Sequence, residues 1–129
     1  MQKNSMTTHQ FSEPYFMEKD IWQRAFRLSI RVIRMTRTLP KESAAWELTK
    51  QVVRSSCSIP ANIAEGSGGS SKKEFVRYMD VARKSALETF NWFLIIEESF
   101  DLQNRMIEIK SECLEIIKIL SAIVIKSKS

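Results

Sequence analysis

The sequence predicts an all-α chain, an up-down-up-down four-helix bundle, on three observations. Only 3 Gly and 3 Pro occur in 129 residues, which leaves too little turn chemistry for a run of strands. Apolar residues recur at helical spacing in four separate stretches, and the connectors between those stretches are short. The length suits one domain with a real core and is short for two. We therefore expect a flexible tail over residues 1–17 and one domain over residues 18–127.

The first helix is expected from Asp20, as N-cap, to Thr38, stopped by Leu39-Pro40. At 100° per residue, Trp22, Ala25, Phe26, Ser29, Val32, Ile33 and Thr36 share one face, read as inward. Arg24, Arg27, Arg31 and Arg34, spaced three, four and three, fall on the other side, with Arg37 at the stripe's edge. No acidic residue lies between Asp20 and Glu42, so the row has no partner within its own helix. The second helix starts near Lys41-Glu42-Ser43, carries Trp46, Leu48, Val52, Ser55, Ile59 and Ile63, and is expected to close at Gly66 as C′ residue. Pro60 removes one backbone donor, which predicts a kink eased by the Ser56 or Ser58 hydroxyl, or a helix that restarts there.

Ser67-Gly68-Gly69-Ser70 reads as a connector, and Ser71 with Glu74 as the capping box of the third helix. The inward stripe of that helix is Phe75, Tyr78, Met79, Ala82, Ser85, Ala86, Thr89, Trp92, Phe93 and Ile96, with small residues in the middle that permit close approach. After a turn over residues 99–104, the fourth helix places Met106, Ile109, Cys113, Ile116, Ile117, Leu120, Ile123 and Val124 on one face. A second apolar row, Ile107, Leu114 and Ile125, sits about 90° away. One core needs one row, so the second is expected to meet another copy of the chain.

Several function classes drop out. The start of the chain lacks a basic segment followed by an apolar one, and no apolar run approaches the roughly 20 residues a membrane span needs; a soluble, cytoplasmic protein is expected. Cys57 and Cys113 sit in apolar helical patterns without metal-ligand spacing. His9 is the sole histidine and lies in the polar tail, so no triad or metal pair can be assembled in the domain, and neither catalysis nor a cofactor is expected. Glu108, Glu112 and Glu115 share a helix face but lack the Glu-x-x-His pattern of bundle metal sites. Gly66-Ser67-Gly68-Gly69-Ser70 before Lys72 and Lys73 lacks phosphate-loop spacing and follows a helix instead of a strand.

The stretch Ser58-Ile59-Pro60-Ala61-Asn62-Ile63-Ala64-Glu65-Gly66 is unusual for a helix end. It resembles the signature of the four-helix-bundle proteins encoded in intervening sequences of bacterial 23S rRNA genes. The resemblance extends over about residues 20–125: Trp22 with Ala25, Leu39-Pro40 before Glu42, Gln51 through Ser55, Lys73-Glu74-Phe75 with Tyr78, and Ala82 through Glu88. Lys84 departs from the glycine many members carry. The resemblance implies a homo-oligomeric ring, a pentamer with a central channel, a link to RNA or ribosomes, and no catalytic residues. Accessory proteins of diversity-generating retroelements are similar basic pentameric bundles that bind nucleic acid, which favours binding by analogy alone.

Net charge is +5, and the basic residues concentrate between residues 19 and 84. Arg24, Arg27, Arg31 and Arg34, helped by Lys72, Lys73 and Arg77, are the expected phosphate contacts, because guanidinium groups donate bidentately to phosphate. The competing reading pairs the row with carboxylates, Glu108, Glu112 and Glu115 among them, or docks it on an acidic protein as an interaction scaffold without nucleic acid. Asn62, Glu65, Ser85 and Glu88 are expected to meet as a buried polar network that sets helix register.

Overall fold

The computed structural model describes residues 16, 19–69 and 71–128. The tail expected over residues 1–17, His9 included, lies outside the described residues except for Phe16, and so does Ser70 of the connector. Four helices carry the described chain: α1 (Asp20–Thr36), α2 (Ser43–Ser67), α3 (Lys72–Phe100) and α4 (Ile107–Lys128), with a 3-10 turn, Gln103–Met106, leading into α4. No strand occurs among the described residues.

Each helix packs on two others: α1 on α2 and α4, α3 on α2 and α4. Later residues of α2 meet earlier ones of α3, with Ser55 at Thr89, Ser58 at Ser85, and Gly66 at Tyr78 and Met79. The same reversal relates α3 and α4, where Glu97 pairs with Lys110 and Ala86 accepts from Cys113. The buried apolar residues of all four helices form one cluster, with Phe93, Leu28, Ile59, Ile63, Met79 and Ile96 among its largest fully buried members.

Helix α1 is rotated from the face its large side chains suggest. Ile21, Ala25, Leu28, Ser29 and Val32 are buried, whereas Phe26 is 44% exposed and Trp22 and Ile33 are half-buried. The apolar arc of α1 is wider than a core-facing stripe, and its centre lies roughly 60° from the expected one. Trp22 and Phe26 stack on each other instead, with ring centroids 4.9 Å apart, and Phe16 meets Trp22 edge-on. The helix starts after Lys19, and Asp20 lies in its first turn rather than capping it.

Helix α2 passes through Pro60 without ending there. A proline at this position leaves the carbonyl four residues back without its helical donor. That carbonyl belongs to Ser56, and the Ser29 hydroxyl of α1 donates to it at 2.9 Å. Neither expected hydroxyl serves: Ser56 Oγ donates to Val53 and Ser58 Oγ meets Ser85 Oγ. Gly66 is not the left-handed C′ residue expected, because α2 runs on to Ser67 and no described glycine has positive φ. A Cβ on Gly66 would lie 2.8 Å from Met79 Cε and 2.9 Å from Tyr78 Cβ, so glycine is needed for the close approach of α2 and α3.

Ser71 caps α3, accepting from the Glu74 amide at 3.1 Å, while the Glu74 carboxylate turns to Arg77. Of the expected inward faces, Met79, Ala82, Ala86, Thr89, Phe93 and Ile96 of α3 are buried, as are Met106 and, in α4, Ile109, Cys113, Ile116, Leu120 and Val124, while Phe75, Tyr78, Ser85, Trp92, Ile117 and Ile123 are half-buried at the edges.

Candidate phosphate-binding face

Two seams of the fold collect the polar residues singled out in the sequence. The first lies between α2 and α3. Thr89 Oγ1 donates to Ser55 Oγ and Ser85 O, Ser58 Oγ meets Ser85 Oγ at 2.9 Å, and the Asn62 amide donates to both the carbonyl and the hydroxyl of Ser58. Asn62 and Ser85 are thus linked through the Ser58 hydroxyl, and both are half-buried. Glu88 sits at the outer edge of this seam, accepting from Trp92 Nε1 and pairing with Arg54. Glu65 does not join: it is exposed, and its carboxylate has no hydrogen-bond or ion-pair partner among the described residues. Helical geometry explains this, since Glu65 lies one residue short of the row that faces α3. Ser55, Ser58 and Thr89, the centre of the seam, were missed as a network, although their spacing in α2 and α3 places them on the facing sides.

The second seam lies between α1 and α4 and divides the arginine row. Arg24 donates through Nε and Nη2 to both carboxylate oxygens of Glu112, at 2.9 and 2.8 Å. Charge-assisted two-point bonds of this kind fix geometry as well as adding energy. The Arg24 guanidinium holds the Glu112 carboxyl below the usual carboxylate range, and Glu112 in turn raises Arg24. Arg24 is therefore corrected from a ligand-facing residue to a helix-pairing one; the carboxylate alternative holds for it. Arg27, Arg31 and Arg34 remain exposed, and none has an ion-pair partner among the described residues. Arg31 and Arg34 line a cavity of about 310 Å³ together with Arg105, which the 3-10 turn delivers. Arg105 escaped the sequence reading because nothing in the row of α1 points to a turn so distant in the chain.

Lys72, Lys73 and Arg77 do not extend this face. Lys72 and Lys73 line a cavity with Lys128 at the far end of α4, a 22-residue helix about 33 Å long. Arg77 pairs with Glu74 and lies over the Tyr78 ring, 4.3 Å from its centroid. Arg31 and Arg34 lie beside the start of α4, whereas Lys72 and Lys73 lie beside its end.

The second apolar row of α4 is outward: Ile107 is 59%, Leu114 42% and Ile125 71% exposed. Ile125 shares a cavity with Asp80 and Arg83 of α3, which places the row on the α3 side, and Leu87 and Leu94 of α3 are exposed as well. Phe26 and Trp46 leave apolar surface on α1 and α2. Among the described residues, no group of three or more His, Cys, Asp or Glu could hold a metal ion, and no helix is long and apolar enough to cross a membrane. Burial pushes the Cys113 thiol up to about 12, and its Sγ donates to Ala86 O.

No curated protein matches the chain. A crystal structure described as a protein of unknown function from the S23 ribosomal protein family of Bacteroides thetaiotaomicron superposes with a TM-score of 0.75. It is 26% identical, and the match covers 81% of this chain and 97% of that one. The family model described as 23S rRNA-intervening sequence protein matches residues 17–122, so the chain, four helices with a divided arginine row, belongs to that family.

Proposed function

We propose that this protein is a non-enzymatic, cytoplasmic RNA-binding bundle of up-down-up-down topology that works as a homo-oligomeric ring. The observation that carries the RNA reading is the division of the arginine row. Packing consumes Arg24, while Arg27, Arg31 and Arg34 keep guanidinium groups without carboxylate partners among the described residues. Repeated around a ring, such a row contacts the phosphates of a structured RNA without reading its bases. The family and structural likenesses, both bearing ribosomal names, support the same reading.

The reversed registers between successive helices support the topology. The ring is supported by apolar surface on two sides: Leu87, Leu94, Ile107 and Leu114 on α3 and α4, and Phe26 and Trp46 on α1 and α2. Head-to-tail closure requires two different patches on each subunit, and the family resemblance makes five the subunit number to test. Two measurements decide. The logarithm of affinity for a structured RNA should fall linearly with the logarithm of salt concentration, with a slope of roughly 0.7 to 0.9 per phosphate contact; no binding near physiological salt would leave an interaction scaffold in its place. Leu114→Glu should lower the light-scattering mass toward that of a monomer, and an unchanged mass would count against the ring.

A further inference from the structure

We infer that the cavity between the end of α1 and the 3-10 turn is a binding site for one nucleotide unit bearing a phosphate monoester. Three cationic side chains border it, Arg31 and Arg34 from α1 and Arg105 from the turn, brought from distant parts of the chain. None of the three has an ion-pair partner among the described residues. The Glu112 carboxylate feels the charge of Arg31, but both of its oxygens are taken by Arg24. Three guanidinium groups around one hollow repel each other, and an anion placed between them removes that cost.

The rest of the lining selects the kind of anion. Half-buried Met35 and Leu102 give the hollow an apolar side, backed by the buried Met106 and Ile109. The Thr38 hydroxyl is already spent on the Met35 carbonyl, so the guanidinium groups are the donors left to a ligand. A bare inorganic anion would leave the apolar side unused. A nucleobase uses it, lying on methionine and leucine side chains and on a guanidinium plane. A phosphate monoester carries close to two charges and three terminal oxygens, against one charge and two free oxygens for a diester within a chain, so three arginines suit the monoester. About 310 Å³ lies at the small end of ligand pockets and holds one such unit, not a run of them. Both a 5′-phosphorylated RNA end and a free nucleoside monophosphate present this chemistry.

The site shares Arg31 and Arg34 with the phosphate face proposed above, so the test separates the two. Fluorescence anisotropy would compare a 12-nucleotide single strand carrying a 5′-phosphate with the same strand carrying a 5′-hydroxyl, and would titrate adenosine 5′-monophosphate as competitor. The full chain should prefer the phosphorylated strand by about tenfold. Arg105→Gln should bring that ratio near one with an unchanged circular dichroism spectrum, while Arg37→Gln, outside the cavity, should keep it. Competition by the free nucleotide at the concentration that saturates the strand assigns the site to free nucleotides; much weaker competition assigns it to RNA ends. A wild-type ratio of one with no binding of the monophosphate overturns the site, as does a preference for either ligand that survives Arg105→Gln. The salt slope of the 5′-hydroxyl strand reports the arginine face alone, so its loss would reject that face and leave the cavity standing on the monophosphate.

Discussion

The α2–α3 and α1–α4 seams are both polar, yet their polar groups end in opposite conditions. Between α2 and α3, Ser55, Ser58, Asn62, Ser85 and Thr89 satisfy one another, and Gly66 lets the backbones approach closely enough for short side chains to reach. Between α1 and α4 the side chains are long, Arg24 meets Glu112, and the rest of the row stays exposed, with Arg31 and Arg34 beside a hollow. Short hydroxyls and amides in a close contact are satisfied by one another and by nearby backbone carbonyls, so they serve the fold. Arginines on a rim keep their donors available to something outside it.

The largest effect expected from this contrast is at Gly66. Gly66→Ala would drive a Cβ against Tyr78 Cβ, which has no freedom to move aside, and should cost about 1–3 kcal/mol in denaturant unfolding. A loss below about 0.5 kcal/mol would mean that the α2–α3 approach is not tight. Close behind comes Ser29→Ala, which strands the buried Ser56 carbonyl beside Pro60 and should cost about 1–3 kcal/mol. Restoring that loss by Pro60→Ala in the same chain would show that the hydroxyl stands in for the missing amide; an additive double variant would break the link. Asn62→Leu should cost about 1 kcal/mol, since it removes a donor from Ser58.

The smallest effect concerns acid. The Glu112 carboxyl sits below its ordinary value near 4.5 because Arg24 bonds its ionised form. A carboxyl depressed in the folded state contributes stability that is fully present above its unfolded value and is lost as pH falls through the folded one. The stability gap between wild type and Glu112→Gln should therefore be constant near neutrality and close below about pH 4.5. A gap independent of pH would mean that the pair contributes through packing alone.

Much of the fold was legible because the signals are periodic. The stripes of α3 and α4 follow from Met79 to Ile96 and from Met106 to Val124, and the Ser71–Glu74 cap follows from spacing. The face of α1 was misjudged because Trp22 and Phe26 outweigh Leu28 and Ile21 in size, and size does not say which side of a broad apolar arc meets the core. The role of Gly66 was misjudged because a glycine near a helix end suits a turn and a close approach equally well until the facing helix is known. At the arginine row, spacing identified the residues but not their division. Whether Arg24 or Arg31 finds Glu112 depends on the offset between α1 and α4, to which no local pattern in either helix is sensitive.

That division gives the most direct test of the account, a double dissociation within the row. Arg24→Gln should lower stability by about 1–2 kcal/mol, because it leaves Glu112 without its partner, while hardly changing the salt slope of RNA binding. Arg27→Gln with Arg31→Gln should do the reverse: stability within about 0.5 kcal/mol of wild type, and a slope reduced by roughly 1.4 to 1.8 per subunit engaged, equally on unrelated RNA sequences. Slopes that are the same for wild type and the double variant, or a slope lost on replacing Arg24 alone, would contradict the assignment of one arginine to the fold and its neighbours to phosphate.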